Sequence, residues 1–285
     1  MGAKLENLPK LENCYNTEKL KKVWKRKLHL CETHFPFLSE DEHDNSVEDS
    51  WRSDIDVHGG TEEEMRGRRL KSSTLQELAE FIDPRRTKDL REFFEDKDCV
   101  DSVKMFVVAH INRELPFVPV TFCPMKDDLC PEPSWPHLQY VYEICLRTVR
   151  NIHANEKQLA FMSKDLLSHL INKVQSNDSR ERTCSLEVIR TALVKASDEL
   201  ENVILSHVVE ALQLYAYERR AYCLGVTGLM ELCSIVVQKR RPNTILPQPP
   251  LETARSLTDS FIRVMLHCCR APVKNLPVPL TLSFL

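Results

Sequence analysis

Apolar residues recur at helical spacing along the middle of the chain. The clearest stretch is 157–174, where steps of three and four residues place the apolar side chains on one face of an α-helix. Its apolar residues are Leu159, Met162, Leu166, Leu167, Leu170, Ile171 and Val174. The same spacing predicts further helices at 137–151, 180–196, 198–216, 219–238 and 251–269. Short polar turns or prolines separate these stretches, so the pattern predicts an all-α chain.

The spacing of the predicted helices favours a repeat architecture. Helices that start at residues 137, 180 and 219 begin about 40 residues apart, close to the ~40–47 residues of a two-helix HEAT or armadillo unit. A globular bundle would show the same stripes. However, burying the seven apolar side chains of 157–174 contributes roughly 10–20 kcal/mol, whereas ordering the stretch costs about 27 kcal/mol. Such a helix needs neighbours on more than one side, so we expect a HEAT-like, armadillo-like solenoid.

The polar segments divide the chain into four parts. Residues 1–38 are predicted to hold a tail and a basic amphipathic helix at 17–31, and residues 39–72 an acidic, mobile loop. The helical-repeat region is predicted at 73–271 and a proline-containing tail at 272–285. Within the repeat region, shorter helices are expected at 74–82, 86–95 and 100–115, and a proline-rich connection at 116–136. The carboxylates of the acidic loop are Glu40, Asp41, Glu42, Asp44, Glu48, Asp49, Asp54 and Asp56.

Charge and cysteine content narrow the function classes. The chain has 285 residues and a formal net charge of -3 at pH 7, which predicts no strong attraction to nucleic acid or to an anionic membrane. The apolar stretch 221–238 is interrupted by Glu231, so a buried helix is favoured there over a membrane span. The 11 cysteines are scattered and odd in number, which indicates a reducing compartment. We expect a cytoplasmic protein, with the nucleus as a second location.

A run of cations near the amino terminus is the strongest charge feature. It has three interpretations: the solvated face of a helix, a docking surface for an acidic partner, or a nuclear-import signal. Nucleic acid is a poorer partner, because the acidic stretch just downstream would oppose its binding. The run consists of Lys19, Lys21, Lys22, Lys25, Arg26 and Lys27.

Catalytic motifs are absent from the sequence. It contains no glycine-rich phosphate loop and none of GxSxG, HExxH or CxxC. The His and Cys residues at 29–34, 123–130 and 267–269 lack the spacing and the fourth ligand of a zinc site. We therefore predict a protein that is no enzyme and carries no metal or cofactor. An enzyme would need a Cys–His pair with a third, orienting group.

The segment 135–147, WPHLQYVYEICLR, resembles the B-prime family of regulatory subunits of the type-2A serine/threonine protein phosphatase. Members of that family carry a close variant of WPHLQLVYEFFLRF. In the same order along the chain, residues 105–116 resemble the family's MFAVNMFRTLPP, residues 178–182 its DPRERDF, and residues 228–235 its IAELLEILGSI. We expect Trp135, Pro136 and His137, which open the first segment, to have a structural role.

This resemblance implies a curved stack of HEAT-like helix pairs that acts by protein–protein binding. The partners it implies are the phosphatase scaffold subunit and, beyond it, the catalytic subunit and phosphoprotein substrates. The function it implies is that of a regulatory or targeting subunit. The alternative is a free-standing helical-repeat protein, or a truncated competitor that does not hold the catalytic subunit. The candidate partner-binding residues are Arg180, Arg182, Arg190 and Lys195.

One departure from the family concerns peptide recognition. The family's groove takes LxxIxE peptides with a His-Arg pair, a Tyr and a further Arg. An ungapped alignment anchored at residues 180–182 puts Arg190, Thr191, Leu193 and Leu200 at those positions. Leucines provide no donor for a carboxylate, so we predict that the chain does not bind LxxIxE peptides with family-like affinity.

Overall fold

A computed structural model of the chain describes residues 3–14, 16–33, 62–85, 90–115, 132–153, 155–217 and 224–239. Within these ranges the chain forms helices and no strand. The helices are α1 (Ala3–Glu6), a 3-10 turn (Leu11–Asn13), α2 (Thr17–Thr33), α3 (Glu62–Phe81), α4 (Arg91–Glu95), α5 (Lys97–Ile111), α6 (Trp135–Asn151), α7 (Asn155–Phe161), α8 (Lys164–Lys173), α9 (Ser179–Val194), α10 (Asp198–Tyr217) and α11 (Val226–Lys239).

The all-α prediction is confirmed, and neighbouring helices pack against each other as expected of a HEAT-like helical-repeat chain. The helices belong to two compact units. The described residues of Met1–Arg113 and Pro131–Leu166 form the first unit, and those of Glu114–Cys130 and Leu167–Leu285 form the second.

In the first unit, α6 packs against α3 and α5, and α2 packs against the same two helices. An aromatic cluster fills one part of this core. The fully buried ring of Trp24 lies 5.2 Å from Phe93 and 5.7 Å from Phe81, measured between ring centroids. The Phe93 ring meets Trp24 nearly edge-on, at 85°, which is a favoured geometry for aromatic pairs.

In the second unit, α11 packs against α9 and α10. The start of α11 depends on a glycine. Gly225 has a φ of 85°, a left-handed conformation that most side chains avoid, and a Cβ there would lie 2.1 Å from the carbonyl oxygen of Val174. Glycine thus allows the chain to pass close to the backbone after α8 and to begin α11.

Two segments differ most from the prediction. Helix α3 begins at Glu62, so residues 62–72 are helical rather than part of the acidic loop. Acidic residues favour the first turn of a helix, and Gly67 and Lys71 are buried there by tertiary packing, which apolar periodicity does not reveal. The single helix predicted at 157–174 is instead α7 and α8, because the chain breaks at residues 162–163. Asp165 then occupies the first turn of α8.

No helix in the described ranges is both long enough and apolar enough to cross a lipid bilayer. The helix predicted at 251–269, the tail at 272–285 and most of the acidic and proline-rich segments lie outside the described residues.

Candidate protein-binding surface

The residues that open the 135–147 segment form the first turn of α6. Trp135 is itself the first helical residue, so α6 begins two residues before the predicted start at 137 and the sequence does not enter the helix by a non-helical Trp135. Ser134 is the N-cap, and its carbonyl accepts from the backbone N–H of His137 and Leu138, both at 3.0 Å. Pro136 fits this first turn because an N–H there has no partner within the helix.

The indole of Trp135 is half-buried rather than enclosed in the core. Its ring stacks on Tyr142 at a centroid distance of 6.4 Å and an interplanar angle of 28°. Tyr142, about two helical turns further along α6, is only 1% exposed, so the indole of Trp135 covers a ring that lies in the core. This geometry supports a structural role for Trp135, with part of its surface left in solvent.

His137 connects α6 to α3. Its Nε2 donates to the carbonyl of Arg68 at 3.2 Å, and burial lowers the pKa of its imidazole. Next to it in the same unit, burial lowers the pKa of His110 to about 4 and that of Lys71 to about 8. Burial also raises the pKa of the Cys31 thiol to about 12. This polar cluster therefore has neutral imidazoles and a protonated thiol around one amine.

The carboxyl-terminal part of α6 attaches this helix to the end of α3. Arg147 Nη1 donates to the carbonyl of Ala79 at 2.5 Å, and its guanidinium lies 3.3 Å from Asp83. Asn151 Nδ2 donates to the carbonyl of Ile82 at 3.0 Å. Carbonyls in the last turn of a helix have no partner within the helix. Arg147 and Asn151 supply these partners, so this part of α6 serves folding.

Two of the four candidate partner-binding residues lie at the start of α9. Asp178 is the N-cap, and its Oδ1 accepts from the backbone N–H of Arg180 at 2.8 Å. The guanidinium of Arg180 also donates to this carboxylate, with Nη2 2.6 Å from Oδ2, and the Arg180 side chain is 47% exposed. Arg182 Nη1 donates to the carbonyls of Ser176 and Asn177 at 2.6 and 2.9 Å. Arg182 is thus built into the α8–α9 turn, whereas Arg180 still faces solvent.

Arg190 and Lys195 have different environments. Arg190 Nη2 donates to the carboxylate of Glu231 on α11, and its Nη1 lies 4.0 Å from Glu187. The Nε of Arg190 is buried without a hydrogen-bond partner. Lys195 is the exposed C-cap of α9, just beyond the last helical residue. The positions expected to form a peptide groove also include Leu193 and Leu200, and both side chains are buried in the core.

One stabilising contact of the second unit is not predicted by the sequence pattern. Lys239 Nζ donates to the carbonyl of Leu193 at 2.7 Å and pairs with the buried carboxylate of Glu201. A cation at the end of α11 thereby holds the end of α9 next to the start of α10. Ser197 caps α10, since its Oγ accepts from the N–H of Leu200 at 3.4 Å.

Two large apolar side chains and two basic side chains of the second unit are exposed to solvent. Val194 is 73% exposed and Leu214 57% exposed, and Arg180 and Lys195 are also exposed. In the part of the chain that the structure describes, no group of three or more His, Cys, Asp or Glu side chains could hold a metal ion.

Comparison with known families gives a match over most of the chain. Residues 8–245 match the family model described as "Protein phosphatase 2A regulatory B subunit (B56 family)". The matched range contains the 135–147 segment and all four candidate partner-binding residues.

Individual relatives agree with this match. The chain is 28% identical over 176 residues to the delta isoform of the serine/threonine-protein phosphatase 2A 56 kDa regulatory subunit from Saccharomyces cerevisiae, covering 61% of this chain and 23% of the relative. It is 25% identical over 240 residues to the alpha isoform of the 56 kDa regulatory subunit from Mus musculus, covering 82% and 43%. It is 27% identical over 180 residues to the B' epsilon isoform of the 57 kDa regulatory subunit from Arabidopsis thaliana, covering 60% and 35%. The chain therefore spans less than half the length of these relatives.

Proposed function

This chain belongs to the B56 family of regulatory B subunits of protein phosphatase 2A, and from that membership we propose that it acts as a regulatory or targeting subunit of such a phosphatase. The observation that carries the proposal is the family match over residues 8–245. The partner proposed first is the scaffold subunit of the phosphatase. The catalytic subunit and phosphoprotein substrates are further partners within the same proposal.

A non-catalytic role is part of this proposal. The relatives named above are regulatory subunits of a phosphatase. Burial raises the pKa of Cys31 and Cys145 to about 12, and that of Cys99 and Cys233 to about 11. These thiols stay protonated at neutral pH, and a protonated thiol is a poor nucleophile. The fold thus uses them as small apolar side chains.

Recovery of partners on a tagged chain tests the proposal. We expect scaffold and catalytic subunits to be recovered together from a cell extract, and absence of both would contradict the proposal. Leu138→Asp serves as an unfolding control, because it places a charge at a position with 0% exposure. Lys164→Glu, at an exposed position of α8, serves as a folded surface control and should recover both subunits.

A second candidate function is a helical-repeat interaction protein, or a competitor that binds the scaffold without holding the catalytic subunit. Two observations favour this second function: Arg190 is paired with Glu231, and Leu193 is buried. Neither side chain is then available to recruit a substrate. Mixing the purified chain with an assembled phosphatase distinguishes the two functions. Displacement of the resident regulatory subunit without new activity on a phosphopeptide supports the competitor.

The proposed location is the cytoplasm, with the nucleus as a second compartment. The scattered, odd number of cysteines supports a reducing compartment. Fluorescence microscopy of a tagged chain tests it, and exclusive labelling of the secretory pathway would contradict it.

A further inference from the structure

The basic run of α2 is divided by the fold into two sets of cations. Lys21 lies 3.0 Å from Asp96, Lys25 lies 3.3 Å from Asp98, and Lys27 lies 2.6 Å from Glu77. These three cations face α3 and the start of α5, where carboxylates meet them. The pairs tie α2 into the first unit, so this half of the run has a structural role.

The other three cations face away from the unit. Lys19, Lys22 and Arg26 are exposed, and none of them forms an ion pair with a described residue. Their spacing of three and four residues places them within an arc of about 60° on the helix, along about 10 Å of its axis. We call these three residues the outer basic stripe. His29, also exposed, continues the same line.

The burial of the apolar side of α2 limits what the outer basic stripe can bind. Val23, Trp24 and Leu28 are each at most 8% exposed. An amphipathic helix binds a membrane by inserting its apolar face, and it enters a partner's hydrophobic groove by the same face. That face is occupied within the unit, so neither mode is open to α2.

Nuclear import and nucleic-acid binding fit the stripe poorly for a related reason. A signal read along the whole run would need Lys21, Lys25 and Lys27 to be available, and all three are paired. Affinity for nucleic acid grows with the number of phosphates neutralised, and the stripe offers three permanent cations on a chain of net charge -3. The three cations are exposed to solvent, so carboxylates on the surface of another protein can reach them.

We propose that the outer basic stripe docks an acidic helix of another protein. A helix laid alongside α2, with carboxylates three and four residues apart, would face Lys19, Lys22 and Arg26 in turn, as charged positions do at the edges of paired helices. Such exposed pairs orient partners and speed their association more than they add affinity, and salt screens them. The proposal concerns α2 alone and does not depend on the phosphatase assignment.

A designed peptide tests the stripe on the purified full chain. The probe is a fluorescein-labelled, alanine-rich helical peptide with Glu residues three and four positions apart on one face. A second peptide of equal composition distributes the same Glu residues around the helix. We expect fluorescence anisotropy in 50 mM salt to show binding of the one-faced peptide, at least fivefold tighter than the distributed peptide. Raising the salt to 300 mM should weaken this binding about tenfold.

Matched variants identify the surface. The triple variant Lys19→Glu, Lys22→Glu and Arg26→Glu should weaken binding of the one-faced peptide at least tenfold. The control variant changes three exposed residues that are scattered over the chain, Lys10, Arg85 and Lys164, to Glu, which alters the net charge equally. Its affinity for the one-faced peptide should stay within twofold of wild type. Circular dichroism checks that both variants fold, and if the first does not, the corresponding triple Ala variant replaces it. The proposal is supported if the folded variant, with either three Glu or three Ala residues in the stripe, binds the one-faced peptide more weakly than wild type does.

Several outcomes would overturn the proposal. These are no binding in low salt, equal binding of the two peptides, or equal loss in the two triple variants. Stripe-dependent binding of vesicles with 30% phosphatidylserine, or of duplex DNA, tighter than that of the one-faced peptide would assign the stripe to another class of partner. Tighter stripe-dependent binding of a synthetic peptide of residues 34–61 would assign it to this chain's own acidic residues.

Discussion

Arg190 of α9 and Glu231 of α11 form an ion pair, in which Nη2 of the guanidinium donates to the carboxylate. Arg190 is the only basic residue that the alignment keeps at the four groove positions, and the fold already provides it with two carboxylates, since Glu187 lies 4.0 Å away. A cation that is paired inside its own unit attracts an external carboxylate less strongly.

We therefore expect no binding of LxxIxE peptides with family-like affinity. The burial of Leu193 and Leu200 supports this expectation, because neither side chain offers a surface or a donor to a peptide. A fluorescence titration at low salt, which favours weak charge pairing, measures it, with Lys164→Glu as a control of equal charge change. Micromolar binding that Arg190→Glu abolishes would contradict the prediction and restore a substrate-recruiting role.

Breaking the Arg190–Glu231 pair should have a modest and asymmetric effect on stability. The side chains are 32% and 48% exposed, so Arg190→Ala is expected to lower the free energy of unfolding by about 1 kcal/mol or less. Arg190→Glu should cost more, because it places a third carboxylate beside Glu187 and Glu231. Adding Glu231→Arg to Arg190→Glu should recover part of the loss in urea unfolding. A double variant as unstable as the sum of the two single variants would show that the two residues do not interact.

Stability should fall in mild acid because of His110. Burial lowers the pKa of His110 from 6.5 to about 4. Between these values the unfolded chain binds a proton that the folded chain does not, so stability falls as pH drops from 6.5 towards 4, by up to about 3 kcal/mol. Urea unfolding gives the difference in unfolding free energy between wild type and His110→Gln, at pH 7 and again at pH 5. Groups that titrate in both proteins cancel in this difference. An unchanged difference between the two pH values would refute the prediction.

The buried amine of Lys71 should make the folded chain more stable as the pH rises above 8. Burial lowers its pKa from 10.5 to about 8, and the nearby Cys31 acts in the other direction. Between pH 8 and 10.5 the unfolded chain holds the proton more tightly, so this residue adds stability as pH rises, by up to about 3 kcal/mol. The stability advantage of Lys71→Met over wild type is therefore expected to be larger at pH 7.5 than at pH 9.5. An advantage that does not shrink over this interval would argue against the burial effect.

Replacing Trp135 should destabilise the first unit less than a core substitution does. A fully buried tryptophan changed to Ala typically costs about 3–5 kcal/mol. The half-buried ring of Trp135 stacks on Tyr142, so we expect about 1–2 kcal/mol for Trp135→Ala. Trp135→Phe keeps a ring over Tyr142 and should recover more than half of this loss in urea unfolding. A Trp135→Ala variant with the same free energy of unfolding as wild type would contradict the structural role of Trp135.

Local signals explain why several helices could be located in advance. Stripes at three- and four-residue spacing record which face of a helix is buried, and the predicted helices at 137–151, 180–196 and 198–216 agree with α6, α9 and α10 to within two residues at each end. Asp178 is the N-cap of α9, where its short side-chain acceptor satisfies a free N–H, that of Arg180. Such information lies within a few residues of each position.

Other features depend on residues that are distant in sequence. The sequence shows that α2 carries six cations, but only the packing of α2 on α3 and α5 decides that Lys27 meets Glu77, 50 residues away, while Lys22 faces solvent. In the same way, α11 brings Glu231 to Arg190 across 41 residues. The sequence pattern does not predict the first half of α3, because the buried positions described there are Gly67 and Lys71, which form no apolar stripe. Periodicity thus determined which segments are helices and which faces are apolar. The tertiary structure decided which charges are paired and which are exposed, because an ion pair depends on a distance in space that local sequence does not encode.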